Sequence, residues 1–94
     1  MNTEYILCAA IKLVQPRELN CYHENDLKIC EIGYGHHDIF ARFGNAVSKN
    51  LEDQGFYTSA GRFVTRQEAL YIAKESGQVS RDLDSVRLYS EDLY

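Results

Sequence analysis

The chain has no tryptophan, one proline, one methionine and no surplus of positive charge. Each shortage excludes something. A single Pro with six Gly in 94 residues argues against disorder or a collagen-like repeat. Ten Lys and Arg stand against fourteen Asp and Glu, a formal charge of −4. Proteins that coat nucleic acid or an anionic membrane carry a basic footprint, so neither polymer nor bilayer is expected as a partner. A small anionic ligand needs only a local cluster of donors and stays open. The longest wholly apolar run, Tyr5 to Ile11, falls far short of the roughly 20 residues that span a bilayer. Met1-Asn2-Thr3-Glu4 lacks the basic start of a secretory signal. A cytoplasmic protein is expected.

Cysteine is also sparse. Cys8, Cys21 and Cys30 are odd in number, and their spacing matches no zinc pattern. They read as reduced structural thiols, and no metal or cofactor is expected. What the chain does have is tyrosine: seven residues whose rings keep a polar handle, suited to interfaces and to stacking on bases. The length leaves room for one domain over residues 1–94, stable alone by a thin margin and helped by oligomerisation.

The run Tyr5 to Val14 is apolar on both faces and stops at Gln15-Pro16, which favours a buried strand. Asn20 to Asp26 is polar and turn-rich. Leu27 to Ile32 alternates and reads as a second, antiparallel strand closed by Gly33-Tyr34-Gly35. Asp38 is a fair N-cap for a helix from about Ile39 to Leu51, whose apolar stripe includes Phe43, Val47 and Leu51. Gln54 to Val64 reads as a hairpin turning at Ser59-Ala60-Gly61. Thr65-Arg66-Gln67-Glu68 is a capping box for a second helix, which Gly77 is placed to end. Leu88 to Tyr94 carries large apolar and aromatic anchors and is expected to dock on the domain. The order describes an α+β domain, a mostly antiparallel sheet packed by two helices, with a C-terminal docking tail.

Three groups of residues carry candidate chemistry. Arg62 and Arg66 flank the point where the hairpin runs into the second helix, and arginine grips phosphate in a bidentate manner. Gly35-His36-His37-Asp38 puts two histidines beside an aspartate, but neighbours diverge at a helix start and no further ligands complete a metal set. Tyr34, next to the histidines, is the aromatic best placed to stack on a purine. No nucleophile motif occurs, so no catalytic residue is assigned.

Taken together, Cys-Ala-Ala-Ile-Lys (8–12), Gly-His-His-Asp-Ile-Phe (35–40), the stretch from Gln54 through Gly-Arg-Phe-Val-Thr-Arg to Ala69, Ile-Ala…Gly-Gln (72–78) and Leu-Tyr-Ser-Glu-Asp-Leu-Tyr (88–94) are more telling. They resemble a family of small phage and prophage proteins, the first type of anti-Thoeris sponge. The resemblance implies a non-enzymatic protein that sequesters cyclic ADP-ribose isomers made by a host defence enzyme, keeping them from their effector. Some members of that family also bind cyclic di- or trinucleotides at a separate site formed in a hexamer. It implies a homodimer, or a hexamer built from it, acting in the host cytoplasm. Carried onto this sequence, Arg62 and Arg66 hold the ligand's phosphates and His36 and His37 face the ligand. Asn45, on the polar face of the first expected helix, hydrogen-bonds a base or ribose. Just before His36, where the resemblance implies a basic residue, this chain has Gly35. Two other readings stay open: an enzyme that cleaves such a signal with His36, His37 and Asp38, and an interaction protein docking through its tyrosines and tail.

Overall fold

The computed structural model describes residues 3–15 and 26–93. Cys21, His23 and the rest of the polar stretch before Asp26 lie outside them, as does Tyr94. The N-terminal apolar run forms β1 (Ile6–Lys12), and its alternation is broken once. Ile6 pairs with Thr58, whereas Cys8 pairs with the very next partner, Tyr57, so Leu7 is an extra residue. A bulge of this kind shifts which side chains share a face. Ile6, Ala9 and Ile11 therefore join one buried cluster while Leu7 is left exposed.

β1 is flanked by β2 (Cys30–Gly33) and β3 (Gln54–Thr58), with β4 (Phe63–Thr65) outside β3. The sheet runs β2-β1-β3-β4 and every pairing is antiparallel. α1 (His36–Phe43) packs over β1 and β2, and α2 (Arg66–Glu75) over β3 and β4. Phe56, Ile11, Ile39 and Leu88 are the largest side chains sealed between the layers. This is the α+β architecture expected from the sequence. The carboxamide of Gln78 adds a long-range clasp, accepting from the Ile6 N–H at 2.7 Å and donating to its carbonyl at 2.8 Å.

Three local details depart from expectation. Leu27 and Lys28 are not strand but part of a 3-10 turn over Asp26–Lys28. The Asp26 N–H bonds the Gly61 carbonyl and its carboxylate takes the Phe63 N–H, both beside β4. The chain must then cross the sheet to reach β2 on the far edge, and only from Cys30 does it lie in register. The first helix is shorter than expected. It starts at His36 with Gly35 as N-cap and no side-chain cap, so Asp38 is inside it. It stops because Gly44 adopts a φ of +52°, where only glycine is unstrained. A 3-10 turn over Gly44–Ala46 follows, and Val47 bridges Leu13 at the end of β1. Val47 is thus core, as expected, but from an extended position, and Leu51 is exposed.

Half of the capping box forms as read: the Thr65 hydroxyl accepts from the Glu68 N–H at 3.2 Å. The Glu68 carboxylate is bound by Arg62 instead. Gly77, at φ +81°, closes the end of α2 as anticipated. The tail docks: Leu88 is fully buried, and its N–H donates to the Arg66 carbonyl at 2.9 Å. Among the described residues no helix is long and apolar enough to cross a membrane.

Candidate functional site

β2 ends at Gly33, and the bend at Tyr34-Gly35 leads straight into α1, whose first residue, His36, reaches across to β3. Consecutive helical residues point about 100° apart, which separates the two histidines. His36 turns inward and is buried. Its Nε2 lies 2.7 Å from the Gly55 carbonyl and its Nδ1 2.7 Å from the Ser90 hydroxyl. A carbonyl only accepts, so Nε2 carries the proton, and in the neutral ring Nδ1 accepts from Ser90. The ring stands nearly perpendicular to that of Phe56, 5.1 Å between centroids. His37 points out, with its side chain 92% exposed and Nε2 3.6 Å from Asp38 Oδ1.

This approach depends on Gly55. A Cβ there would overlap the Val64 carbonyl of β4 and press on Phe63, so glycine sets the close spacing of β3 and β4 beneath the histidine. The tail supplies the other side. Arg66, the first residue of α2, donates from Nη1 to the Leu88 carbonyl at 3.1 Å and from Nη2 to Gln54 Oε1 at 3.3 Å. Its guanidinium also sits 5.3 Å from the Tyr89 ring centre, within cation–π range. The reciprocal backbone and side-chain bonds between Arg66 and Leu88 fix Tyr89 and Ser90 opposite the start of α1.

Between these elements lies a hollow of about 470 Å³. Tyr34 to Asp38 form one side, and Arg66, Tyr89 and Ser90 the rest. Its walls offer two tyrosine rings, one guanidinium and one carboxylate. Four residues expected at a site from the sequence are gathered here: Tyr34, His36, His37 and Arg66. His36 serves mainly to tie α1, β3 and the tail together, while Tyr34 presents an exposed ring.

Arg62 and Asn45 are placed elsewhere. Arg62 Nε and Nη2 bind the two oxygens of Glu4 at 2.8 and 2.9 Å, and Nη1 binds Glu68 at 3.0 Å. These bonds, with a further one from Thr58, hold the Glu4 carboxyl below its ordinary value, and they raise the already high value of Arg62. Arg62 is thus a clamp between the N-terminal segment, the hairpin and α2. Asn45 sits in the turn after α1, where it accepts from Lys49 Nζ and lines a different hollow with Leu13 and Ser48. The shorter helix explains this, since Gly44 redirects the chain before Asn45. Tyr89 and Ser90, which line the hollow, and Gly55, which binds His36, are placements that the sequence did not disclose. The only hint was the anchored character of the tail, which said that it docks but not where. Burial pushes the Cys8 thiol up, away from nucleophilic use, and the buried Cys30 thiol donates to the Asp26 carbonyl at 3.3 Å.

The sequence of residues 5–94 matches the family model described as phage T4 y16D protein. The chain belongs to the phage T4 y16D protein family. No curated protein and no solved structure matches it. The y16D match covers β1 through the tail, so every wall of the hollow lies within the region that defines the family.

Proposed function

We propose that this y16D-family protein is a non-enzymatic phage sponge that binds a compact nucleotide-derived signal of the cyclic ADP-ribose class. The observation that carries the reading is the convergence of Tyr34, Tyr89 and Arg66 on one hollow of about 470 Å³. Small-molecule sites span roughly 300–1,000 Å³ and combine apolar walls with a few convergent polar groups. The tyrosine rings take the base, and the guanidinium takes phosphate oxygens by charge-assisted hydrogen bonds. The resemblance of the hairpin-into-helix and tail motifs to the sponge family supplies the ligand class.

Capture without turnover is the chemistry these groups favour. Both ring nitrogens of His36 are engaged by Gly55 and Ser90, and His37 stands out in solvent beside Asp38. Tight capture requires that water be excluded from the ligand. A second copy of the chain laid over the hollow meets that need, so the working form is a homodimer or a hexamer assembled from it. Its place of action is the cytoplasm of the infected host, where a diffusible defence signal has to be intercepted.

The test is stoichiometric. The protein is incubated with cyclic ADP-ribose and with its ribose–ribose-linked isomers, and free ligand is followed by mass spectrometry. One of these ligands is removed in fixed proportion to protein, and heating the protein returns it with unchanged mass. Steady consumption of excess ligand, or a released species heavier by one water, replaces the sponge with an enzyme. No depletion of any of them removes the ligand class.

A further inference from the structure

The carboxylate of Asp38 is the group in the hollow that phosphate binding does not explain. It lines the same space as Arg66, its side chain is 42% exposed, and its contact with the exposed His37 is a loose 3.6 Å. A site shaped only for phosphate gains nothing from a negative wall, because like charges at short range repel. A carboxylate has acceptor oxygens only, so an organic ligand that hydrogen-bonds to it must offer N–H or O–H groups.

From this we infer that Asp38 is the specificity-determining residue of the hollow and accepts hydrogen bonds from two adjacent free hydroxyls of a ribose. The inference rests on the nucleotide reading above and deepens it. Two carboxylate oxygens match two neighbouring O–H donors. An adenine amino edge is a poorer partner, since it presents a donor beside an acceptor and is read by amide side chains that offer both. Asp38 lies on the first turn of α1, four residues after Tyr34. A base resting on Tyr34 brings its sugar to that turn, with the phosphates continuing toward Arg66. The hollow then reads base, sugar and phosphate with three different chemistries. Asp38 also rejects ligands whose sugar hydroxyl carries a phosphate ester, because that charge faces its own.

Calorimetric titration of the whole chain tests this. The probes are cyclic ADP-ribose, its ribose–ribose-linked isomers, and analogues of each lacking one free ribose hydroxyl. The parent protein binds at least one hydroxylated probe more tightly than its deoxy analogue, by about tenfold or more, as expected for a lost bond to a charged group. Asp38→Asn weakens the hydroxylated probe by a similar factor and erases the preference. Asp38→Glu, which keeps the acceptor pair, restores part of it. Circular dichroism of each variant matches the parent. Equal binding of hydroxylated and deoxy probes by the parent overturns this inference and leaves the sponge intact, as does a preference that survives in Asp38→Asn. Failure of the parent to bind any probe overturns both.

Discussion

The imidazole of His36 and the hydroxyl of Ser90 lie 2.7 Å apart inside the domain, joining the start of the first helix to the tail. Through its other nitrogen the same ring reaches Gly55 of β3, so one side chain ties three elements at the floor of the hollow.

Removing that ring leaves the Gly55 carbonyl and the Ser90 hydroxyl without their partner in a buried setting. His36→Ala is expected to cost about 2–3 kcal/mol, and Ser90→Ala, which frees only one acceptor, about 1 kcal/mol. Urea denaturation of the two variants checks this. A loss under about 0.5 kcal/mol for His36→Ala, the range of an ordinary surface change, refutes the tie.

Gly55→Ala sets a Cβ against the Val64 carbonyl, which belongs to the β3–β4 ladder and cannot step aside without breaking it. The expected cost is about 3 kcal/mol or more, or failure to fold. Gly77→Ala, where φ is +81° and the surrounding space is open, should cost only about 1 kcal/mol. Thermal melts of both glycine variants give the comparison, and a reversed order contradicts the packing described.

Acid should weaken the clamp of Glu4 and Arg62. The folded state holds the Glu4 carboxyl below its ordinary value of 4.5, first through hydrogen bonds from Arg62. The unfolded chain therefore takes up that proton first as pH falls. The stabilisation is fully present above about pH 4.5 and disappears as pH drops through the lower folded value. Melting temperature measured from pH 6 down to pH 3 should fall less steeply for Glu4→Gln than for the parent. Parallel curves would mean that the pair contributes nothing.

The two arginines of the hairpin-helix junction should separate in function. Arg62→Ala lies outside the hollow and is expected to leave ligand capture unchanged. Its loss of stability should stay within about 1 kcal/mol, because the pair is partly solvated. Tyr34→Ala, at an exposed ring, should weaken capture by about 1–3 kcal/mol, the worth of one base-stacking ring, while shifting the melt only slightly. Arg66→Ala should do both, since Arg66 holds Leu88 as well as lining the site. Parallel melts and titrations decide, and an Arg62 variant that loses capture would move the site to the other end of the junction.

Where sequence reading succeeded, the signal was local. Thr65 before Glu68 marks the start of α2 whatever surrounds it, and Gly77 marks its end. The apolar run of β1 and the hairpin around Gly61 are legible for the same reason. Gly44 misled because it sits inside a continuing apolar stripe, and only its positive φ reveals that the stripe leaves the helix. Leu27 alternates like a strand residue but is carried across the sheet by Asp26, whose N–H and carboxylate find partners 35 or more positions away. The site shows the same division. Tyr34, His36, His37 and Arg66 reach one hollow as expected. Arg62, the other expected phosphate ligand, stands apart from the hollow, held by a carboxylate partner, Glu4, that lies 58 positions earlier and is not a neighbour in sequence. Tyr89 and Ser90 were hidden because the docking place of a tail is decided by tertiary contacts alone.

The clasp of Gln78 on Ile6 bears on how the protein is made. β1 emerges from the ribosome ahead of its partners and finds β2 within the next few dozen residues, but its opposite edge belongs to β3 and its Ile6 peptide groups to Gln78, 72 positions later. Until that glutamine clears the exit tunnel, the nascent chain carries an apolar strand with an open edge, the kind of surface that chaperones shield and that otherwise recruits other chains. A chain broken off before Gln78 is therefore a target for proteolysis rather than a smaller working domain.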